Sequence, residues 1–341
     1  MVEVSTIGLD IAKNVFQVHG TDAAGEVTIR RQLRRGEVLK FFSKLPRCLV
    51  GMESCGTANY WAREIAKLGH EVRLMPPIRV KAYVRQGAKN DSADAAACNE
   101  AVTRPSMKCV PIKSVEQQAV LMLHRVRQLL VEQRTRLSNA IRAHLAEFGV
   151  IAKKGDAGFA ALLNMIALEG EERVPDLIRP ILAALVSQWR SAGDQLVQIE
   201  RQILAWHKSN EASQRLASIP QFGPIISTAM VASAGDAARF KNGRQFSAWI
   251  GLVPRQNSSG GRTSLGPITK AGDKYLRQLL VTGATGMIRR VKQDPSVSPW
   301  LADLLTRMPA KKAAIALANK MARIAWALLV KHQSYQSPLA A

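Results

Sequence analysis

The spacing of apolar residues changes character along the chain. Over roughly the first hundred residues, short apolar runs of strand length alternate with turn signals. Val4–His19 reads as one extended strand, with Asp10 in its middle. Asp22-Ala23-Ala24-Gly25 is a hairpin-like turn, and Glu26–Leu33 returns as a second strand. Cys48–Met52 is a short apolar run ending in Glu53, the helix Ala58–Leu68 follows and closes at Gly69, and Glu71–Met75 is a strand stopped by Pro76-Pro77. Asp91–Val102 reads as an alanine-rich helix.

After residue 104 the period becomes helical. Ser114 with Gln117 is a capping-box signature. Val115, Ala119, Met122, Val126, Leu130, Leu137, Ile141, Leu145 and Phe148 then mark one long amphipathic helix. Residues 149–174 are mixed, with Gly155, Gly158 and Gly170 as breaks. A second long helix runs from about Pro180 to His207. Two such helices in succession predict an antiparallel hairpin or coiled coil, an oligomerisation arm, or else an ordinary bundle. Further on, Ile219-Pro220-Gln221-Phe222-Gly223-Pro224 leads into a helix from Ile225 to about Ala234, the layout of a helix-hairpin-helix turn able to hold a phosphate. Helices are also expected over Phe240–Gly251, Tyr275–Arg290 and Lys311–Lys331. The expected class is an α/β domain with a ribonuclease-H-like sheet followed by mostly α structure. The divisions fall at residues 1–104, 105–210 and 211–335.

Charge narrows the partners. Lys and Arg number 48 against 26 Asp and Glu, a net charge of +22 over 341 residues, which calls for a polyanion, most simply nucleic acid. No apolar run is read as a transmembrane helix and the N-terminus lacks a signal-peptide layout, so a cytoplasmic protein without a membrane partner is expected, nucleoid-associated when acting. Cys48, Cys55, Cys98 and Cys109 have neither metal-ligand nor disulfide-framework spacing and read as small core residues. From Arg239 to Lys292 eleven cations face one acid, Asp273, which favours a phosphate-facing surface over an ordinary solvated one. Arg255, Arg262, Lys270, Lys274 and Arg277 are its candidate nucleic-acid contacts.

The candidate chemistry begins with a carboxylate in a core strand. An unpaired buried carboxylate is costly, so Asp10 needs a partner. The available ones are further acids: Glu53, and Asp91 with Asp94, which share one helix face at i and i+3. Each alone has a structural explanation; above all, Asn90 or Asp91 could be a helix N-cap with Asp94 near the third helical position, where acids suit the helix dipole. Meeting in space, the four would require a divalent cation, and in so basic a chain that points to Mg²⁺-dependent phosphodiester chemistry. Ser258 and Ser259, in a loop with Gly260 and Gly261, offer a hydroxyl within the basic stretch. Without a histidine nearby, that loop alone reads as a polar turn.

Seven motifs follow in order: Gly8-Leu9-Asp10-Ile11-Ala12-Lys13, Glu53-Ser54-Cys55-Gly56-Thr57, Lys89-Asn90-Asp91-Ser92-Ala93-Asp94-Ala95, Ile219–Pro224, Gly251-Leu252-Val253-Pro254-Arg255, Ser259-Gly260 and Ile268-Thr269-Lys270-Ala271-Gly272-Asp273. Together they resemble the DEDD transposases of the bacterial insertion-sequence family of bridge-RNA-guided recombinases, over about residues 5–330. The resemblance implies a RuvC-like N-terminal domain, a coiled-coil arm and a C-terminal transposase domain. It also implies a Mg²⁺-binding tetrad of Asp10, Glu53, Asp91 and Asp94, and a nucleophilic serine at Ser259, with Ser258 the adjacent candidate. The implied partners are donor and target DNA, a guide RNA, and further copies of the chain as homodimer or homotetramer. Two alternatives stand beside it: a metal-only RuvC-like nuclease or resolvase in which water attacks, and a non-catalytic nucleic-acid-binding protein.

Overall fold

The computed structural model describes residues 3–84, 90–167 and 172–336. Lys89 and Gly170, named above in a motif and as a helix break, lie outside the described residues. The chain divides into two compact units, Met1–Glu116 and Gln117–Ala341.

The first unit is a five-stranded sheet with helices. Its elements are β1 (Thr6–Ile11), β2 (Val15–Thr21), β3 (Val27–Arg34), α1 (Val38–Phe42), β4 (Leu49–Glu53), α2 (Ala58–Lys67), β5 (Glu71–Met75), α3 (Pro77–Val80) and α4 (Asp91–Thr103). The sheet order is β3-β2-β1-β4-β5. β1–β2 and β2–β3 pair antiparallel, while β1–β4 and β4–β5 pair parallel. The single strand expected over Val4–His19 is therefore two, joined by a turn at residues 12–14. Apolar residues run almost unbroken across that turn, so periodicity alone cannot show it. As a result Asp10 sits near the carboxyl end of β1 rather than in mid-strand. Ile7, Leu9, Phe16, Val18, Val50, Met52, Trp61 and Ile65 form the core between the sheet and α2.

α4 lies against the opposite face, and glycines let it in. A Cβ on Gly8 would fall 2.0 Å from the Ala95 carbonyl oxygen, and one on Gly51 would fall 2.6 Å from Val102 Cβ. These glycines are register partners at the centre of the β1–β4 pair. Opposite them α4 presents Ala95, Cys98 and Ala101, all buried. Two bare strand positions facing small helix residues allow backbone to approach backbone. Of the cysteines, Cys48 and Cys98 are buried as expected, whereas Cys55 and Cys109 are exposed.

The second unit is built on α5 (Val115–Ala146), which begins two residues before the division, and continues as α6 (Asp156–Ala167), α7 (Arg179–Ser209), α8 (Glu211–Ala217), α9 (Pro224–Ala234), α10 (Gly243–Ile250), β6 (Pro254–Ser259), β7 (Arg262–Ile268), α11 (Lys274–Gln293), α12 (Pro299–Arg307) and α13 (Ala310–Lys331). The two long helices run antiparallel. Arg127 pairs with Glu200 at 2.8 Å, Arg134 stacks on Trp189 at 4.3 Å, and Ile141 and Leu145 share a core with Leu182. Arg142 donates to the carbonyls of Lys153 and Gly155. Arg127, Arg134 and Arg142 are thus all engaged within the chain. Gly158, expected as a break, sits inside α6.

A larger core gathers α8–α13, including Ile219, Phe222, Phe246, Leu280, Leu301 and Met321. The Ile219–Pro224 turn enters α9 with Pro224 at the first helical turn and Gln221 at φ +69°. α13 is the exception to the expectation about apolar runs. Its length and mean hydropathy of 1.5 would let it cross a membrane. Ala313, Ala318, Met321, Ala322 and Ala325, however, are buried in this core, which accounts for its apolar character.

Candidate acidic metal centre and basic ribbon

Packing brings the acids together. β1 ends just beyond Asp10 and parallel β4 ends at Glu53, so both carboxylates stand at the carboxyl edge of neighbouring strands. Sites in sheets of this kind form at that edge. α4 starts over it. Asn90 caps the helix, its side chain accepting from the Ala93 amide at 2.8 Å, and Asp91 and Asp94 occupy the first turn. The cap and the catalytic reading of this segment are compatible: Asn90 takes the capping role and leaves both aspartates free to face the sheet.

One carboxylate oxygen from each of Asp10, Asp91 and Asp94 lies within 4.8 Å of the others. Glu53 is outside that trio but close enough to feel the charges of Asp94 and Asp10. The Asp10 pKa is pushed up to about 6, first by burial and then by the negative charges of Asp94 and Asp91. Glu53 is raised by burial, then by Asp94 and Asp10. A cation at the centre would relieve this repulsion.

Asn99 is a positioning residue that the sequence reading missed. Its Nδ2 donates to the Thr6 carbonyl at 3.0 Å and the His19 carbonyl at 3.1 Å, and its Oδ1 accepts from Thr21 Oγ1 at 3.2 Å. This buried amide ties α4 to β1 and β2, and so sets where Asp91 and Asp94 begin. A lone Asn in an alanine-rich helix carries no sequence signal for that role. Gly51 was missed for the same reason.

The serine stretch is a ribbon rather than a loop. β6 and β7 pair antiparallel, Ser259 opposite Arg262, and Gly260 and Gly261 form the two-residue turn at φ +55° and +76°. Successive positive φ values make this a primed hairpin turn, the type that glycine pairs favour. Every residue of the ribbon except Ile268 is exposed. With both faces in water there is no apolar alternation, which is why the pattern reads as loop. The two serines differ. Ser258 Oγ accepts from Gln256 Nε2 at 2.8 Å and lies 3.4 Å from Thr263 Oγ1. Ser259 Oγ has no hydrogen-bond partner among the described residues.

The five candidate cations also differ. Arg255, Arg262, Lys270 and Lys274 are exposed or nearly so and pair with no acid among the described residues. Arg277 is spent on structure: its Nη1 donates to the carbonyls of Ile250, Ala271 and Gly272, the first two at 2.8 and 2.6 Å. It braces the base of the ribbon rather than facing solvent.

Comparison with known proteins decides the family. A transposase family profile of the DEDD type matches residues 7–149, and the profile described as "Transposase IS116/IS110/IS902 family" matches residues 213–298. A protein named "Probable family 20 transposase" from Pseudomonas aeruginosa is 49% identical over 337 residues, 98% of this chain and 99% of its own. The transposase for insertion sequence element IS1111A from Coxiella burnetii is 39% identical, covering 98% of this chain and 92% of its own. That for element IS1328 from Yersinia enterocolitica is 38% identical over 96% and 97%. The chain belongs to the IS110/IS116/IS902 family of insertion-sequence transposases. It is therefore a DNA transposase, a family of the DEDD type implies divalent metal use, and the cluster of Asp10, Asp91 and Asp94 could hold such an ion.

Proposed function

We propose that this transposase is an RNA-guided recombinase that cleaves, exchanges and rejoins DNA strands through a serine–DNA intermediate at a Mg²⁺ centre. The observation that carries the reading is the convergence of Asp10, Asp91 and Asp94 from two distant segments of the chain. The sheet order and the mixed strand directions support a RuvC-like, ribonuclease-H-like reading of residues 1–104. The donor set fits the ion: carboxylate oxygens only, with no soft ligand in the cluster. Asp10, Asp91 and Asp94 would hold the ion, with Glu53 as fourth ligand. Bound Mg²⁺ would supply polarisation of the scissile phosphate.

Ser259 is the nucleophile in this reading, favoured over Ser258 because its oxygen is uncommitted. Its Oγ bonds to phosphorus, the bridging P–O bond breaks, and the departing oxygen takes up a proton. Attack by the hydroxyl of an incoming strand reverses the step and needs no outside energy source. Arg262, opposite Ser259 in the ribbon, would neutralise charge developing on the phosphate, with Arg255 further back on β6 as a second clamp. Lys270 and Lys274 extend the basic track. Guide RNA would supply sequence by base pairing while the protein supplies charge and shape. The antiparallel α5–α7 pair supports an oligomerising arm in residues 105–210. It leaves Met122, Leu129, Ile181 and Val197 exposed, available to further copies in a dimer or tetramer.

The test is a denaturing gel of DNA strands linked to protein. Wild type gives a covalent adduct. Ser259→Ala gives none and retains DNA binding. Nicking by Ser259→Ala would instead favour a metal-only nuclease, a reading to which the absence of a neighbouring base on the ribbon lends support.

A further inference from the structure

A cleft between α10, α12 and α13 is lined by Arg244, Trp300, Asn319, Lys320, Arg323 and Trp326, with no acid among its lining residues. Gly243 makes the cleft possible: at the start of α10 it sits buried against the α13 backbone, where a Cβ would come within 3.1 Å of the Arg323 carbonyl oxygen. The floor is internally satisfied. Asn319 Nδ2 donates to the Leu252 carbonyl at 3.1 Å and Trp326 Nε1 to the Ala237 carbonyl at 3.1 Å. The rim is not. Arg244, Lys320 and Arg323 are exposed and form no ion pair among the described residues. Trp300 is 40% exposed, and the Lys320 ammonium lies 4.1 Å from its ring centroid.

A solvated basic face does not need a half-exposed indole, and a core indole does not need three unpaired cations around it. Cations that follow a phosphate backbone, interleaved with an aromatic face for a base, are what unpaired nucleic acid requires. A duplex hides its base faces and would use the cations alone. We propose that this cleft binds a single-stranded segment of nucleic acid, with Arg244, Lys320 and Arg323 on successive phosphates and a base stacked on Trp300. Lys320 leaves the ring for a phosphate when the base arrives. The inference rests on the nucleic-acid part of the function proposed above but not on the acidic centre or on Ser259.

The test uses the full-length protein with fluorescein-labelled dT15, rU15 and a 15-base-pair duplex, in parallel with the strand-cleavage gel. Trp300→Ala is expected to weaken binding of the single strands about 10-fold, within the range of base–aromatic stacking, and duplex binding less than 2-fold. Trp300→Phe keeps a ring and should recover most of the loss, which separates stacking from misfolding. Arg244→Gln with Arg323→Gln should lower the slope of log K against log salt by about 1.4 for the single strands, two phosphates' worth. A stronger effect on rU15 identifies the occupant as RNA, and on dT15 as a displaced DNA strand; either supports the site. Equal losses on single strand and duplex, or no loss in Trp300→Ala, overturn it. A wild type that binds single strands through Trp300 but forms no covalent adduct would leave this site standing and sink the serine mechanism.

Discussion

The acidic cluster and the serine ribbon are held in place very differently. Asp10, Asp91 and Asp94 are fixed from below. Two glycines admit α4 to the sheet, Asn99 ties it to three backbone or hydroxyl groups, and the sheet sits on a buried core. Ser259 has no such support. Its ribbon is two-stranded, solvated on both faces and held mainly by one ladder and one turn. An isolated two-stranded hairpin is marginal in water. The acidic cluster is therefore built into the fold, whereas the ribbon stands out in solvent. The same contrast applies to charge. The acids crowd until burial and repulsion raise Asp10 and Glu53, whereas the ribbon's cations stand apart in solvent.

The largest expected effect follows from removing the space under α4. Gly8→Ala puts a carbon where the Ala95 carbonyl oxygen lies, so the helix must lift. Overpacking of this kind costs about 1–3 kcal/mol. Urea denaturation should show the loss, and strand cleavage should disappear with it. Asp94→Asn should leave the fold intact while lowering metal affinity more than about 100-fold, beyond the effect of losing a supporting group. It should also bring the Asp10 pKa down from about 6, since the Asp94 charge contributes to its elevation. Titration by NMR would read both.

Asn99→Ala comes next. It leaves the buried Thr6 carbonyl and the half-buried His19 carbonyl without this donor, costing about 1–3 kcal/mol. Metal affinity should fall about 10-fold as the α4 start loosens. Isothermal titration against the wild type checks this.

The pH dependence has two opposite signs. The folded Asp10 pKa lies above its ordinary value of 3.8, so the metal-free fold gains stability from this group as pH drops from 7 toward 4. Metal binding needs the ionised form, so affinity falls over the same range, by about 10-fold at pH 5. Parallel melting curves and Mn²⁺ titrations at pH 5 and 7 should diverge in this way. The smallest effect is at the ribbon. Gly260→Ala, at φ +55°, should cost the turn about 1–2 kcal/mol and slow cleavage without moving the melting temperature of the rest. A melting shift as large as that of Gly8→Ala would erase the contrast between the two halves.

The acidic centre was legible because its parts leave strong local signals. Asp10 interrupts an apolar run, Glu53 ends one, and Asp91 and Asp94 sit three apart at the head of an alanine-rich helix. What joins them was not legible. Gly51 and Asn99 look like ordinary residues until the register places one opposite Gly8 and the other against Thr6. The β1–β2 turn was hidden because Ile11 and Val15 continue the apolar run on either side of it. The ribbon was hidden because an element with no buried face has no period. Arg277 was named with its neighbours on charge alone, and only the carbonyls it meets show it to be a brace.

The central claim is that Asp10, Asp91 and Asp94, with Glu53 beside them, form one divalent-cation site created by the docking of α4. The most direct measurement is Mn²⁺ binding to the full-length protein followed by electron paramagnetic resonance. The account predicts saturable binding in the wild type that is lost in both Asp10→Asn and Asp94→Asn and kept in Asp22→Asn, a half-buried turn acid outside the trio. Equal Mn²⁺ binding by the wild type and the Asp10→Asn and Asp94→Asn variants would contradict it.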